Sequence, residues 1–328
     1  MDGMTDVALD ANLLHESGDV GPAFQHTLRR SIHCRGVGLH GGQQAMLTLH
    51  PGPAGSGVVF RRSDLGMDLA ARHDMVSDTR LCTLLSDPAR PGLRVGTVEH
   101  LLAALSACGV DNVVAEVDGP EIPVLDGSSA PFVFLIDCAG RVAQPALRRV
   151  IEIMRTVRVE EDGAWAELRP HADRAALSVP TLSMSLGIDF RAEAIGRQSF
   201  HLELSEAGFR AGLQHARTFT QVGEIDALRA AGLARGGSLD NAVVVDGARV
   251  LNPGGLRMAD EFVRHKMLDA VGDLSLGGAG LHGCFAGHRS GHRLNNLVLR
   301  ALLDDAAAWR WAAPAEEPWM SRGMAVAA

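Results

Sequence analysis

The stretch EFVRHKMLDAVGDL, residues 261–274, spaces His265, Asp269 and Asp273 four residues apart. On an α-helix such residues sit one above the other, so the imidazole of His265 and the carboxylate of Asp269 can reach one point, with Asp273 a turn further on. An imidazole and a carboxylate at a common point suggest a metal ion. A solvated helix face, with Arg264 and Lys266 as counter-charges, reads from the same spacing. A catalytic zinc takes three protein ligands and leaves a position for water, so a third ligand must come from elsewhere.

The organisation of the chain suggests where. AMLTLHPGPAGSGVVFRR reads as two antiparallel strands about a Pro/Gly turn, followed by a helix at TVEHLLAALSACG, a strand at NVVAEV and a helix at SAPFVFLIDCAG. The second half runs similarly, with AWAELRPHADRAALSVPTLSMSLGIDF as strand, turn and strand, then the 261–274 helix, LHGCFAG and GHRLNNLVLRALL. Superposing VEHLLAALSACGV on VRHKMLDAVGDLS sets His100 against His265. Two such halves packed about a pseudo-twofold axis would bring these histidines together. His100, His265 and Asp269 then form a His-His-carboxylate shell with an open water position. Glu99 precedes His100 and points about 100° away on the helix, as suits a general base that is not itself a ligand.

Other histidines carry less signal. His292 follows a glycine at the start of an apolar helix, where a residue near an N-cap is the plain alternative. His40 lies in GVGLHGG, where glycines permit close backbone approach to a ligand, or simply make a turn. His15, His73, His171 and His201 lie in polar surroundings and read as surface.

With 328 residues, 46% hydrophobic and 21% charged, the chain has the balance and length of about two globular domains. Its formal net charge of -8 argues against a nucleic-acid binder, so an anionic ligand would need a local basic pocket. Five cysteines, Cys34, Cys82, Cys108, Cys138 and Cys284, show no CxxC spacing, which fits a reducing cytoplasm and excludes a cysteine zinc site. The start lacks the basic and apolar regions of a secretory signal, and no apolar run spans a membrane. The expected division is a disordered extension over 1–25, a first domain over 26–147, a second over 148–305 and a loose tail over 306–328. Nothing demands more than a monomer.

Seven segments in order, GVGLHGG, TVEHLLAAL, GPEIPVLDGSSAPFV, ARTFT, GGSLDNAVVVD, VLNPGGLRMADEFVRHKMLDAVGDL and SGHRLNN, resemble the zinc-dependent UDP-3-O-acyl-N-acetylglucosamine deacetylases of Gram-negative bacteria. The resemblance implies an α+β fold: two similar domains, each a mainly antiparallel sheet with packed helices and an insert, the helices sandwiched between the two sheets. It implies zinc on His100, His265 and Asp269, with Glu99 as base. The implied reaction removes acetate from the sugar nitrogen of a UDP-linked, 3-O-acylated glucosamine, the committed step toward lipid A.

By the same resemblance, Thr218 donates to the oxyanion, Lys266 adds positive charge, His292 protonates the leaving amine and Asp273 holds its ring. Arg289, where the family usually has lysine, is expected at the pyrophosphate, and Phe190 under the uracil. The acyl chain is expected in an apolar passage built by the insert around TFTQVGEIDALRAAGLARGGSLDNA, with Phe219 and Gly237 lining it. Thr220, Ala234 and Arg235 depart from the family's usual residues there and bear on acyl length, not on the chemistry. Iron(II) also accepts such a shell. The competing readings are a zinc hydrolase of another N-acyl or O-acyl substrate, and a silent binding module. The latter would show a substitution within Glu99, His100, His265, Asp269 or His292, and all five are present.

Overall fold

A computed structural model of the chain describes residues 24–172 and 181–312. The proposed extension, apart from Phe24 and Gln25, and the tail beyond residue 312 lie outside the described residues.

The first half runs β1 (Phe24–Leu28), β2 (Ile32–Val37), β3 (Gln44–Pro51), β4 (Val58–Arg62) and β5 (Met67–Ala70), then an insert of β6 (Val76–Asp78), β7 (Leu84–Asp87) and β8 (Arg90–Val95). It closes with α1 (Glu99–Ala107), β9 (Val113–Val117), α2 (Ala130–Ala139) and β10 (Arg141–Leu147). The second half repeats the plan: β11 (Val150–Ile153), β12 (Val157–Glu161), β13 (Ala164–Arg169), β14 (Leu182–Asp189) and β15 (Arg197–Leu204). After α3 (Glu206–Gly212), its insert holds β16 (Phe219–Gln221), α4 (Val222–Ala230), β17 (Val243–Asp246) and β18 (Arg249–Val250). Then follow α5 (Glu261–Ser275), β19 (Gly280–His288), α6 (His292–Asp304) and β20 (Trp309–Ala312).

The duplication is visible in the pairing. The first sheet has the order β2-β3-β9-β4-β5, and the second contains β12-β13-β19-β14-β15. In both, the central strand is antiparallel to the second strand and parallel to the fourth. The antiparallel pair β1 and β10 has its counterpart in β11 and β20. Strand alternation drives this assembly: along β14, Leu182, Met184, Leu186 and Ile188 are buried while Ser183, Ser185 and Gly187 are less so. The fold is therefore α+β, with mainly antiparallel sheets.

Two local expectations are corrected. β3 and β4 run in opposite directions across their Pro/Gly turn but do not pair, because β9 lies between them. Likewise β13 and β14 are separated by β19. The central strands arrive from more than fifty residues downstream, carrying the buried Val113, Ala115 and Val117 in one half and Leu281, Gly283 and Phe285 in the other. A second correction concerns 306–328: its residues Trp309–Ala312 are a strand paired with β11, which covers that sheet edge.

The helices join the halves. α2 packs on β2, α5 on β14 and β15, and α6 on β12 and β13, while α1 lies along α5. On α6, Leu294, Val298, Leu299 and Leu302 form the buried stripe expected of an amphipathic helix. Gly272 allows the α1–α5 approach: a Cβ there would lie 2.1 Å from the carbonyl oxygen of Glu99. Only a glycine admits that contact, and it sits beside the first residue of α1.

Candidate active site

The N-terminal end of α1 and the middle of α5 meet in the interior. Glu99, His100, His265 and Asp269 are each 3% exposed or less. Asp269 Oδ1 lies 3.5 Å from His100 Nε2 and 3.4 Å from His265 Nε2, and the two imidazole centroids are 5.0 Å apart. One ligand atom from each residue falls within 4.8 Å of the others. Zinc bonds of about 2.0–2.1 Å in a tetrahedron set ligand atoms about 3.3 Å apart, so the spacing fits such an ion. Asp269 Oδ1 has no hydrogen-bond partner despite burial, which an acceptor of metal charge would explain.

The surroundings fix these side chains. His265 Nδ1–H donates to the Ala216 carbonyl at 3.1 Å, which leaves Nε2 with its lone pair toward Asp269. The segment carrying Ala216 is tied to α5 by the fully buried Glu261, which accepts from the Arg217 backbone at 3.0 Å and from its guanidinium at 2.8 Å. Thr218 follows, its N–H on the Gly127 carbonyl at 2.8 Å. Thus the first residue of α5 positions the segment that orients a histidine one turn later.

A second buried network adjoins the first. His292, the opening residue of α6, donates from Nδ1 to Asp273 Oδ2 at 2.9 Å, and Asn295 donates to the same oxygen at 2.9 Å. Thr83 bridges the two carboxylates: its hydroxyl donates to Asp273 Oδ1 at 2.5 Å and its backbone N–H to Glu99 Oε2 at 3.0 Å. Glu99 Oε1 then lies 3.7 Å from His292 Nε2.

Electrostatics separate the roles. Burial pushes the Glu99 carboxyl above its ordinary range, with His292 and His100 opposing. Burial disfavours the His292 imidazolium, but Asp273, Glu99 and Asp269 outweigh it and hold the ring up at about 9. Burial drives His265 down to about 3, so it is neutral and able to ligate. Asp269 is buried too, yet His265 and Lys266 hold its carboxyl well below the usual range. A neutral imidazole, a carboxylate and a protonated imidazole thus stand within one small volume.

A cavity of about 540 Å³ opens onto this cluster. Its walls include Glu99, His100, His265, Asp269, His292, Thr218, Lys266, Arg289, Phe190 and Phe219. Phe190 and Phe219 meet edge to face at 5.5 Å. Arg289 sits on a left-handed backbone position, φ 54°, with its N–H on the Gly187 carbonyl at 2.7 Å. Asp273 lies behind His292 and not on the wall.

Gly237 is likewise absent from the wall; the nearest approaches to it are Ala234 and Leu39, because the insert loop folds back on the first half. The Lys266 ammonium binds Asp269 Oδ2 at 2.6 Å, so its charge is engaged by a proposed ligand. Sequence reasoning missed Thr83, Asn295 and the Glu261–Arg217 pair. Asn295 follows His292 at i+3 and was detectable by helical spacing, whereas Thr83 bears no local signal.

Known proteins resemble this chain along most of its length. A sequence profile described as UDP-3-O-acyl N-acetylglycosamine deacetylase matches residues 25–304. The chain is 45% identical over 294 residues to a UDP-3-O-acyl-N-acetylglucosamine deacetylase of Chromobacterium violaceum, covering 88% of this chain and 93% of that protein. It is 47% identical over 297 residues to the protein of that name from Idiomarina loihiensis, covering 89% and 94%. A Brucella melitensis protein of the same name is 47% identical over 290 residues, 88% of this chain and 98% of its own.

Proposed function

Since the chain belongs to the UDP-3-O-acyl N-acetylglycosamine deacetylase family, we propose that it hydrolyses the N-acetyl group of UDP-3-O-acyl-N-acetylglucosamine with zinc on His100, His265 and Asp269. The products are the free amine and acetate, the committed step of lipid A biosynthesis in a Gram-negative cytoplasm. No described helix is long and apolar enough to cross a membrane. The observation that carries the reading is the convergence of the His-His-Asp cluster, Glu99 and His292 on one cavity.

A zinc ion there supplies Lewis acidity toward the acetyl carbonyl and lowers the pKa of water. Glu99 accepts the proton of the attacking water; its Oε2 is held by Thr83, which leaves Oε1 to face the cavity and His292. Thr218, fixed through its backbone to Gly127, donates its hydroxyl to the oxyanion, a kind of contact whose loss costs about 10²–10³ in rate. His292 gives its Nε2 proton to the amine as the C–N bond breaks. Asp273 accepts from Nδ1 and stabilises the imidazolium throughout. Lys266 keeps Asp269 ionised through its 2.6 Å bond and brings positive charge to the same wall. Arg289 provides a guanidinium suited to bidentate phosphate contact, with Phe190 as a stacking face for uracil and Phe219 toward the acyl chain.

The test is acetate release from the UDP sugar by protein purified without chelator, with the bound metal quantified. Stoichiometric zinc and turnover support the reading. Turnover only of acyl compounds lacking UDP overturns the substrate, and iron(II) in place of zinc overturns the metal.

A further inference from the structure

Thr97 ends the first insert and precedes α1 by one residue, with φ 57°. A β-branched residue in the left-handed region is strained and persists only when its surroundings impose it. The surroundings converge on Glu121. Its Oε1 accepts the Thr97 hydroxyl at 3.0 Å and the His40 N–H at 2.8 Å, while Oε2 accepts the Gly41 N–H at 2.8 Å. The flanking backbone is clamped as well, Gly96 donating to the Pro120 carbonyl at 2.9 Å and accepting from Ile122 at 3.1 Å. Gly38 makes room for the carboxylate: a Cβ there would meet Oε2 at 2.5 Å. The loop it organises continues into the second half, because Arg235 and Gly236 donate to the His40 and Leu39 carbonyls at 3.2 and 3.0 Å.

We propose that Glu121 is a positioning residue: its carboxylate holds the left-handed turn at Thr97 that aims Glu99 and His100 into the cavity. Glu121 is not on the cavity wall, whereas Thr97 and Leu39, at the two ends of its network, are. Its effect on turnover rests on the deacetylase reading, but its effect on the reach of His100 does not.

The test therefore has two readouts, cobalt(II) titration of the metal-free protein and kcat with KM on the UDP sugar. Glu121→Ala is expected to weaken cobalt binding about tenfold or more and to lower kcat by about tenfold to a hundredfold at unchanged KM. Thr97→Gly removes the backbone strain, since glycine adopts positive φ freely. Added to Glu121→Ala, it should restore much of the lost cobalt affinity, a compensation that a merely structural carboxylate would not show. If Glu121→Ala is insoluble, Glu121→Gln, which turns an amide N–H₂ toward a backbone N–H, should move both readouts the same way by less. Wild-type cobalt affinity in these variants, or no recovery in the double variant, overturns the proposal. A wild-type protein inactive on the UDP sugar, with cobalt affinity still lost in Glu121→Ala, overturns the function and supports the positioning.

Discussion

Replacing Gly272 with alanine sets helix propensity against packing. In an exposed helix interior the change stabilises by about 1 kcal/mol. Here the new Cβ would lie 2.1 Å from the Glu99 carbonyl oxygen and 2.8 Å from its carbon, both rigid backbone atoms. Bringing the closer contact to 3.0 Å requires α1 and α5 to part by about 0.9 Å. Overpacking of this kind costs about 1–3 kcal/mol, so the steric term wins. His100 rides on α1 next to Glu99, while His265 and Asp269 ride on α5, so the same displacement stretches the 3.5 Å spacing of His100 and Asp269. Metal–ligand bonds tolerate only about 0.2 Å, and a 1 Å error in catalytic geometry costs about 10² in rate. The assay is thermal unfolding of the metal-free protein, so that lost metal does not enter, together with competitive zinc titration. We expect a lower Tm, zinc bound about tenfold or more weaker, and kcat reduced about a hundredfold. A Tm at or above wild type with undiminished zinc affinity would refute the reasoning.

Asp269→Ala should abolish both bound zinc and turnover, measured by metal analysis and acetate release, because two histidines hold zinc poorly against a chelator. His292→Gln should retain the metal, lose about 10²–10⁴ in kcat and lose or displace the alkaline limb of the pH profile. The sign follows from the ring being held up at about 9, above the ordinary 6.5 of an imidazole: its contribution to stability is full below 6.5 and is lost as pH rises through about 9. Urea titrations of wild type and His292→Gln should therefore differ most at acid and neutral pH and converge in alkali. Arg289→Ala should raise KM more than it lowers kcat, since the loop is held by its backbone bond to Gly187; an unchanged KM would place the phosphates elsewhere.

Much was legible in the sequence because it is written in local periodicity. Spacing by four on EFVRHKMLDAVGDL is realised on α5, and the alignment of His100 with His265 corresponds to equivalent helices of two halves with the same strand order. The buried alternation of strands such as β14 and the helical seat of His292 follow from side-chain period alone, whereas the α+β class came with the family resemblance. The resemblance added roles to these residues that period alone does not supply.

The rest was decided by contacts between residues distant in the chain. The partners of β3 and β4 could not be read from their turn, because β9 enters between them after an insert and a helix. Thr83, 190 residues from Asp273, joins it to Glu99 through one hydroxyl and one N–H, and nothing in LCTLL marks it. Gly237 left the cavity because its loop turned back on Leu39, and Gly272 matters only because a carbonyl from the other half lies against it. Hydrophobic period and helical spacing are properties of short segments, so the sequence specifies which side chains share a face. Which faces meet, and how closely, depends on backbone hydrogen bonds and steric fit across the whole chain, and these exist only once it has folded.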